Sequence, residues 1–199
     1  MRITWGRSPS WREVYYWALD LETGGLDPKS DPILSIGMVP IRDEAIVLGE
    51  SFYTLIAPES AVSTESLLVH HILPADLLNA FSLDEALMRI DERLQNAVLV
   101  VHHSPLDHQF LRTAYRKAGL GVPRMRVVDT VKLLQRHNRR QSLHHSGGSE
   151  APLQLGKARA HFGLPAHREH HALADAVATA ELFLMLSHRL EARTLRQLL

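Results

Sequence analysis

The stretch 18-ALDLETGGLDP-28 places two apolar residues before a pair of acids, Asp20 and Glu22, and follows them with threonine and two glycines. With the residues leading into it, "VYYWALD" (14–20), it reads as a β-strand, since aromatic and β-branched side chains favour pleated, half-buried positions. Residues i and i+2 of a strand project to one face, so the two carboxylates stand side by side. Such a pair repels, and burying it without a partner costs several kcal/mol. No basic residue lies within six positions on either side of the pair. A divalent cation is the economical counter-charge, and hard oxygen donors favour Mg²⁺ or Mn²⁺. Taken alone, D-x-E at a strand end is more often an ordinary surface pair.

Working outward, "PILSIGMVPI" (32–41) and "ESFYTLIAP" (50–58) read as two further strands, with "RDE" (42–44) as a polar turn. "SLDEALMRIDERL" (82–94) carries a Ser-x-x-Glu capping box at Ser82 and Glu85, and Leu83, Leu87, Ile90 and Leu94 fall on one helical face. "AVLVVH" (97–102) reads as a short buried strand, "PLDHQFLRTAYRKAG" (105–119) as a helix with proline in its first turn, and "MRVVDT" (125–130) as another strand. Strand and helix therefore alternate from residue 82 onward. The pattern predicts an α/β sheet, an antiparallel meander followed by parallel strands joined through helices. "RHNRRQSLHHSGGSEAP" (136–152) shows no periodicity and reads as an exposed, mobile loop whose Arg139 and Arg140 could contact a nucleic-acid backbone. "LQLGKARAHFG" (153–163) and "DAVATAELFLMLSHRLEARTLRQLL" (175–199) read as helices, the second long and closing the domain.

The chain has 199 residues, 45% of them hydrophobic, which suits one compact domain. It has no cysteine, so any metal must sit on oxygen or imidazole. No apolar run is long enough for a membrane helix, the first residues lack the core of a secretory signal, and a cytoplasmic protein is expected. Net charge is zero, yet its distribution is uneven: Arg112 to Arg140 holds nine basic residues and one acid, Asp129. A polyanion could dock there, although a solvated helical face explains the same charges.

Two further acids complete the pattern. Asp107 follows a buried strand in the first turn of a helix, where strand carboxyl ends line ligand crevices in α/β sheets. Asp175 interrupts an apolar, helix-forming segment, "EHHALADAVATAELF". Each has a bland explanation alone, helix-dipole complementarity for Asp107 and exposure for Asp175.

Taken together, "LDLETGGLD", "VHHSPLDHQFL" and "EHHALADAVATAELF" resemble, in order and spacing, the three exonuclease motifs of the DEDD superfamily, in its histidine subgroup, typified by the proofreading epsilon subunit of bacterial DNA polymerase III. The resemblance runs from about Tyr16 to about Leu186 and takes in "VHHILPADL" and "VVDTVKLL". It implies a ribonuclease H-like fold with a mixed five-stranded sheet flanked by helices. It implies an exonuclease domain at 15–190, with an N-terminal extension at 1–14 and a C-terminal helix end or tail at 191–199. It further implies a metal-dependent 3′→5′ exonuclease that hydrolyses phosphodiester bonds in DNA with two divalent ions, Mg²⁺ or Mn²⁺, in proofreading or repair. By the resemblance Asp20 bridges both ions, Glu22 and Asp175 hold the first, and Asp107 helps hold the second. The subgroup's general base stands five residues before the last acid, which selects His170 over His171. Five helical residues are about 500°, so His170 belongs on the loop entering the helix rather than on the face of Asp175.

Thr23, Gly24 and Leu26 are expected near the terminal nucleotide, with His103 as a further substrate contact. The family usually has asparagine where His103 stands. Single-stranded DNA 3′ ends are the expected partner, and a DNA polymerase subunit is a candidate one. An exoribonuclease acting on RNA or short oligonucleotides uses the same chemistry. A catalytically silent, polymerase-associated nucleic-acid-binding module is the reading from a different class, and it would be expected to have lost an acid.

Overall fold

The computed structural model describes residues 8–58, 62, 64–70, 72, 75–144 and 149–199. Strand β1 (Tyr16–Thr23) runs through the pair of acids rather than ending at Asp20. It pairs antiparallel with β2 (Ile33–Arg42), with Asp20 opposite Gly37 and Glu22 opposite Ser35. After β2 a two-residue turn, Asp43 and Glu44, takes positive φ at both positions, as a tight hairpin requires, and leads into β3 (Ala45–Ile46). β3 and β4 (Phe52–Leu55) pair with successive parts of one edge of β2. The sheet is thus five positions wide and contains six strands among the described residues.

Helix α1 (Thr64–Val69) and helix α2 (Leu83–Leu94) follow. Ser82 and Glu85 form the reciprocal capping box, and Ala86, Leu87 and Ile90 are buried along the face the periodicity marks. β5 (Val98–Val101) lies parallel to β1, and α3 (Ser104–Lys117) carries the chain to β6 (Arg126–Asp129), parallel to β5. The antiparallel-then-parallel order is the one the alternation of elements predicts.

Helix α4 (Thr130–His144) corrects the loop expected at 136–152, since its first nine residues are helical. The segment has no glycine or proline before Gly147, and Val131, Leu134 and Asn138 recur at helical spacing on a buried face. Polarity hid that face. Asn138 is held by two bonds with Ala151, donating from Nδ2 to its carbonyl and accepting from its amide. Arg140 donates to Leu190 O at 2.6 Å and Arg136 to Gln197 O, so these cations anchor carbonyls at the C-terminal end of the fold. The glycine pair of that stretch lies outside the described residues.

Helices α5 (Leu155–His161) and α6 (Ala172–Arg189) close the chain. The long final helix expected over 175–199 ends at Arg189: Glu191 takes φ 51° and the chain doubles back. Ala192, Leu195 and Leu198 then bury against the core beside Trp11, whose indole N–H donates to Ala192 O at 2.7 Å.

The two faces of β1 bury different cores. Trp17, Leu19 and Leu21 pack with α2 and α3, while Tyr16 and Ala18 pack with α4 and α6. Each fully buried large side chain contributes ~1.5–3 kcal/mol. Alternation puts Asp20 and Glu22 on the α6 side, beyond the point where the apolar core stops. Gly37 lets α6 come this close. A Cβ there would lie 2.2 Å from the carbonyl carbon of Ala172 and the nitrogen of Leu173.

Candidate active site

Three acids converge where β1 meets the first turn of α6. Asp20, Glu22 and Asp175 each offer an oxygen, and these atoms lie within 4.8 Å of one another. Glu22 and Asp175 are buried and Asp20 is half-buried. They form a wall of a cleft of about 600 Å³ that His103 and His170 also line. Asp107, in the first turn of α3, is buried and does not line the cleft, yet its charge is felt by Asp20.

The electrostatics follow from that crowding. Burial, then the charges of Asp107, Glu22 and Asp175, push the Asp20 carboxyl well above the usual carboxylate range. Burial, then Asp129 and Glu22, pushes Asp107 up to about 8. Asp175 is raised by burial, against hydrogen bonds from the His171 amide at 3.1 Å and the His167 ring at 2.8 Å. Proteins neutralise crowded buried acids with protons, basic partners or cations. Among the charges that shift Asp20 only acids appear, and its neighbouring donors are oxygens, the ligand set that Mg²⁺ and Mn²⁺ prefer. The residues fit a divalent cation.

His170 stands in the turn before α6, not on the helix, and takes φ 60°. It is exposed, and one of its ring nitrogens lies within 4.8 Å of a Glu22 oxygen and of a ring nitrogen of His70. His171 is the N-cap of α6, accepting from the Ala174 amide, and stacks on Tyr53 with ring centroids 4.7 Å apart.

His103 takes φ 72° and ψ 59° as the N-cap of α3. Asparagine, the family's usual residue, tolerates that left-handed backbone well, and histidine is among the few others enriched there. Asp129 shapes this corner by accepting from the amides of His103, Ser104 and Val131 at 3.1, 3.0 and 2.9 Å. His102 is a clamp, its ring between Thr130 Oγ1 at 2.7 Å and Leu153 O at 2.8 Å.

Beyond Glu22 the register of β1 and β2 slips, and the chain leaves the sheet. Thr23 Oγ1 donates to Gly25 O at 2.6 Å, and the Gly24 amide donates to Pro32 O at 2.8 Å. A Cβ on Gly24 would stand 2.8 Å from Pro32 Cδ, so glycine there serves close packing of the two chain segments. Leu26 is 78% exposed at the tip.

Three residues that sequence reasoning passed over sit at this site. His70 Nδ1 lies 2.5 Å from Glu22 Oε2 and is held above the usual imidazole range chiefly by that carboxylate. His167 touches Asp175, and Asp129 holds the His103 corner. His70 belongs to "VHHILPADL", which the family resemblance had included, but no spacing ties it to Glu22.

Residues 17–183 match the Exonuclease family. A DNA polymerase III PolC-type protein of Thermotoga petrophila is 34% identical over 176 residues, covering 88% of this chain and 12% of that protein. A DNA polymerase III subunit epsilon-like protein of Rhodobacter capsulatus is 36% identical over 185 residues, covering 92% of this chain and 25% of the relative. The chain therefore spans a quarter or less of these relatives. In fold it is similar to E. coli exonuclease I in complex with a dT13 oligonucleotide, with TM-score 0.75 and 16% identity over 89% of this chain and 42% of that one. It is also similar to cell-death related nuclease 4, with TM-score 0.76 and 14% identity over 92% of this chain and 66% of that one.

Proposed function

The chain belongs to the exonuclease family, and from that premise we propose that it is a divalent-metal-dependent 3′→5′ exonuclease acting on single-stranded DNA ends. The observation that carries the reading is the convergence of Asp20, Glu22 and Asp175 on one point of an open cleft, with the repulsion at Asp20, shifted by acids alone, left for a cation to quench. Asp20, Glu22 and Asp175 would hold one ion, and Asp20 with Asp107 a second. Bound divalent ions supply the positive charge that acidifies an attacking water and stabilises the departing 3′ oxygen of an anionic phosphodiester.

The protein's own groups do the rest. His170 receives the proton of the attacking water, the general-base role for which an imidazole is the side chain most often used. Its place on a turn at the cleft wall, beside Glu22 and apart from the α6 face of Asp175, puts a basic nitrogen at the rim of the acid cluster. Thr23, Gly24 and Leu26 present a short loop and an exposed apolar side chain where a terminal nucleotide can pack, and His103 lines the cleft beside the acids. The silent-module reading lacks its expected mark, since all four acids are present. Among the described residues no helix is long and apolar enough to cross a membrane. A polymerase subunit is the proposed macromolecular partner, because the relatives are named as polymerase components.

The test is a product ladder. With Mg²⁺ or Mn²⁺ the protein should shorten 5′-labelled single-stranded DNA one nucleotide at a time, and EDTA should stop it. RNA, mismatched duplex and dinucleotides run in parallel assign the preferred substrate. No shortening of any of them with either metal would sink the assignment.

A further inference from the structure

Beside the oxygen cluster lies a donor set of different chemistry. Glu22, His70 and His170 offer one carboxylate oxygen and two imidazole nitrogens, all within 4.8 Å of one another. We propose that these three residues form a site for a late first-row transition metal, Zn²⁺ foremost, separate from the Asp20–Glu22–Asp175 set, and that its occupancy withdraws His170 from proton transfer.

Mg²⁺ takes oxygen ligands and keeps its water, whereas imidazole nitrogens select zinc and its neighbours. Two imidazoles and a carboxylate, with one position left open, is an established zinc ligand set. The oxygen cluster beside it presents three carboxylates and no nitrogen among its mutually close ligand atoms. The two sets share only Glu22, so millimolar Mg²⁺ and trace Zn²⁺ are sorted between them by chemistry.

The geometry is assembled by three separate elements. Glu22 is fixed in β1. His70 follows α1, its amide donating to Ser66 O at 3.2 Å, while Ser66 Oγ donates to the carbonyl of Thr23 at 3.1 Å and ties that helix to β1. His170 is set in its turn by a left-handed backbone. The two rings meet edge-on with centroids 6.4 Å apart. His70 Nδ1 is buried and stands 2.5 Å from Glu22 Oε2, but off the line of a well-aligned N–H···O bond. Ligand atoms of a tetrahedral zinc stand about 3.3 Å apart, given bond lengths of about 2.0–2.1 Å. To seat such an ion, ligand atoms at the 4.8 Å limit close by about 1.5 Å, and the His70 Nδ1–Glu22 Oε2 pair, at 2.5 Å, opens by about 0.8 Å. A metal there occupies the nitrogen lone pair of His170 with which a proton would be received.

The binding half stands without the nuclease reading; the inhibition half rests on it. Zinc affinity is measured on the whole chain by competition with a chromophoric chelator, with millimolar Mg²⁺ present and no nucleic acid. His70→Ala and His170→Ala should each weaken binding at least about tenfold, and His167→Ala should leave it within about twofold. X-ray absorption on the zinc-loaded wild-type protein should show two imidazoles in the first shell, a readout that needs no variant to fold. Unchanged affinity in His70→Ala, loss in His167→Ala instead, or a shell without two imidazoles overturns the site. In the nuclease assay at fixed Mg²⁺, rising zinc should suppress the wild-type rate. The zinc midpoint of His70→Ala, measured against its own zinc-free rate, should move up at least about tenfold. Zinc bound as described without inhibition overturns the second half, and a chain without nuclease activity leaves the binding result to decide the first.

Discussion

At the residue scale the account turns on carboxylates that are costly together and useful together. Asp20→Asn or Asp175→Asn should lower the rate at least about a thousandfold, ~4 kcal/mol of transition-state stabilisation. The same variants should keep or raise the melting temperature in metal-free buffer, because one of the repelling charges is gone. Near-normal turnover in either would remove it from the site. His170→Ala should slow the reaction while Mn²⁺ still binds, and an unchanged rate would remove His170 from proton transfer. Each acid taken alone had a bland reading in the chain, and only their shared order and spacing marked them. Their partners carried no such mark. His70 and His167 reach Glu22 and Asp175 only through the fold, and nothing in local spacing marks one histidine of thirteen as a contact of a buried acid.

At the element scale, α6 must rest on the sheet for Asp175 to reach Asp20, and Gly37 is the opening that permits it. Gly37→Ala should destabilise the protein by ~1–3 kcal/mol or more, since the added carbon meets backbone that cannot move aside cheaply. Its activity should fall with its Mn²⁺ affinity, a pairing that separates displacement of α6 from simple loss of stability. Ser82→Ala, which removes the cap of α2 away from the cleft, should cost about 1 kcal/mol and leave the turnover of the folded protein unchanged. The capping box and the apolar stripe made α2 legible in the sequence. α4 was misread because its buried face includes His137 and Asn138, polar residues whose burial depends on Phe162 and Ala151 far along the chain. The final helix was overextended because Leu195 and Leu198 continue an apolar pattern that serves a turn packed on Trp11 instead.

At the scale of the whole molecule the carboxyl cluster couples folding, protons and metal. Asp107 binds its proton more tightly in the folded chain than in the unfolded one, with a folded value of about 8, and Asp20 and Asp175 shift in the same direction. Between roughly pH 4 and pH 8 the folded state therefore holds more protons than the unfolded state, and stability falls as pH rises. Metal-free protein should melt lower at pH 8 than at pH 6, and the gap should narrow in Asp107→Asn. Mn²⁺ should raise the melting temperature more at pH 8, where fewer protons must be displaced. The alternating strands and helices made the antiparallel-then-parallel pairing legible, whereas the seating of α6 over the acids depends on its contact with Gly37, which no local pattern marks. The most direct test of the shared pocket is anomalous diffraction from crystals soaked in Mn²⁺ with a nucleoside monophosphate. The account predicts one manganese peak among Asp20, Glu22 and Asp175 and a second between Asp20 and Asp107; manganese found only away from Asp20 would contradict it.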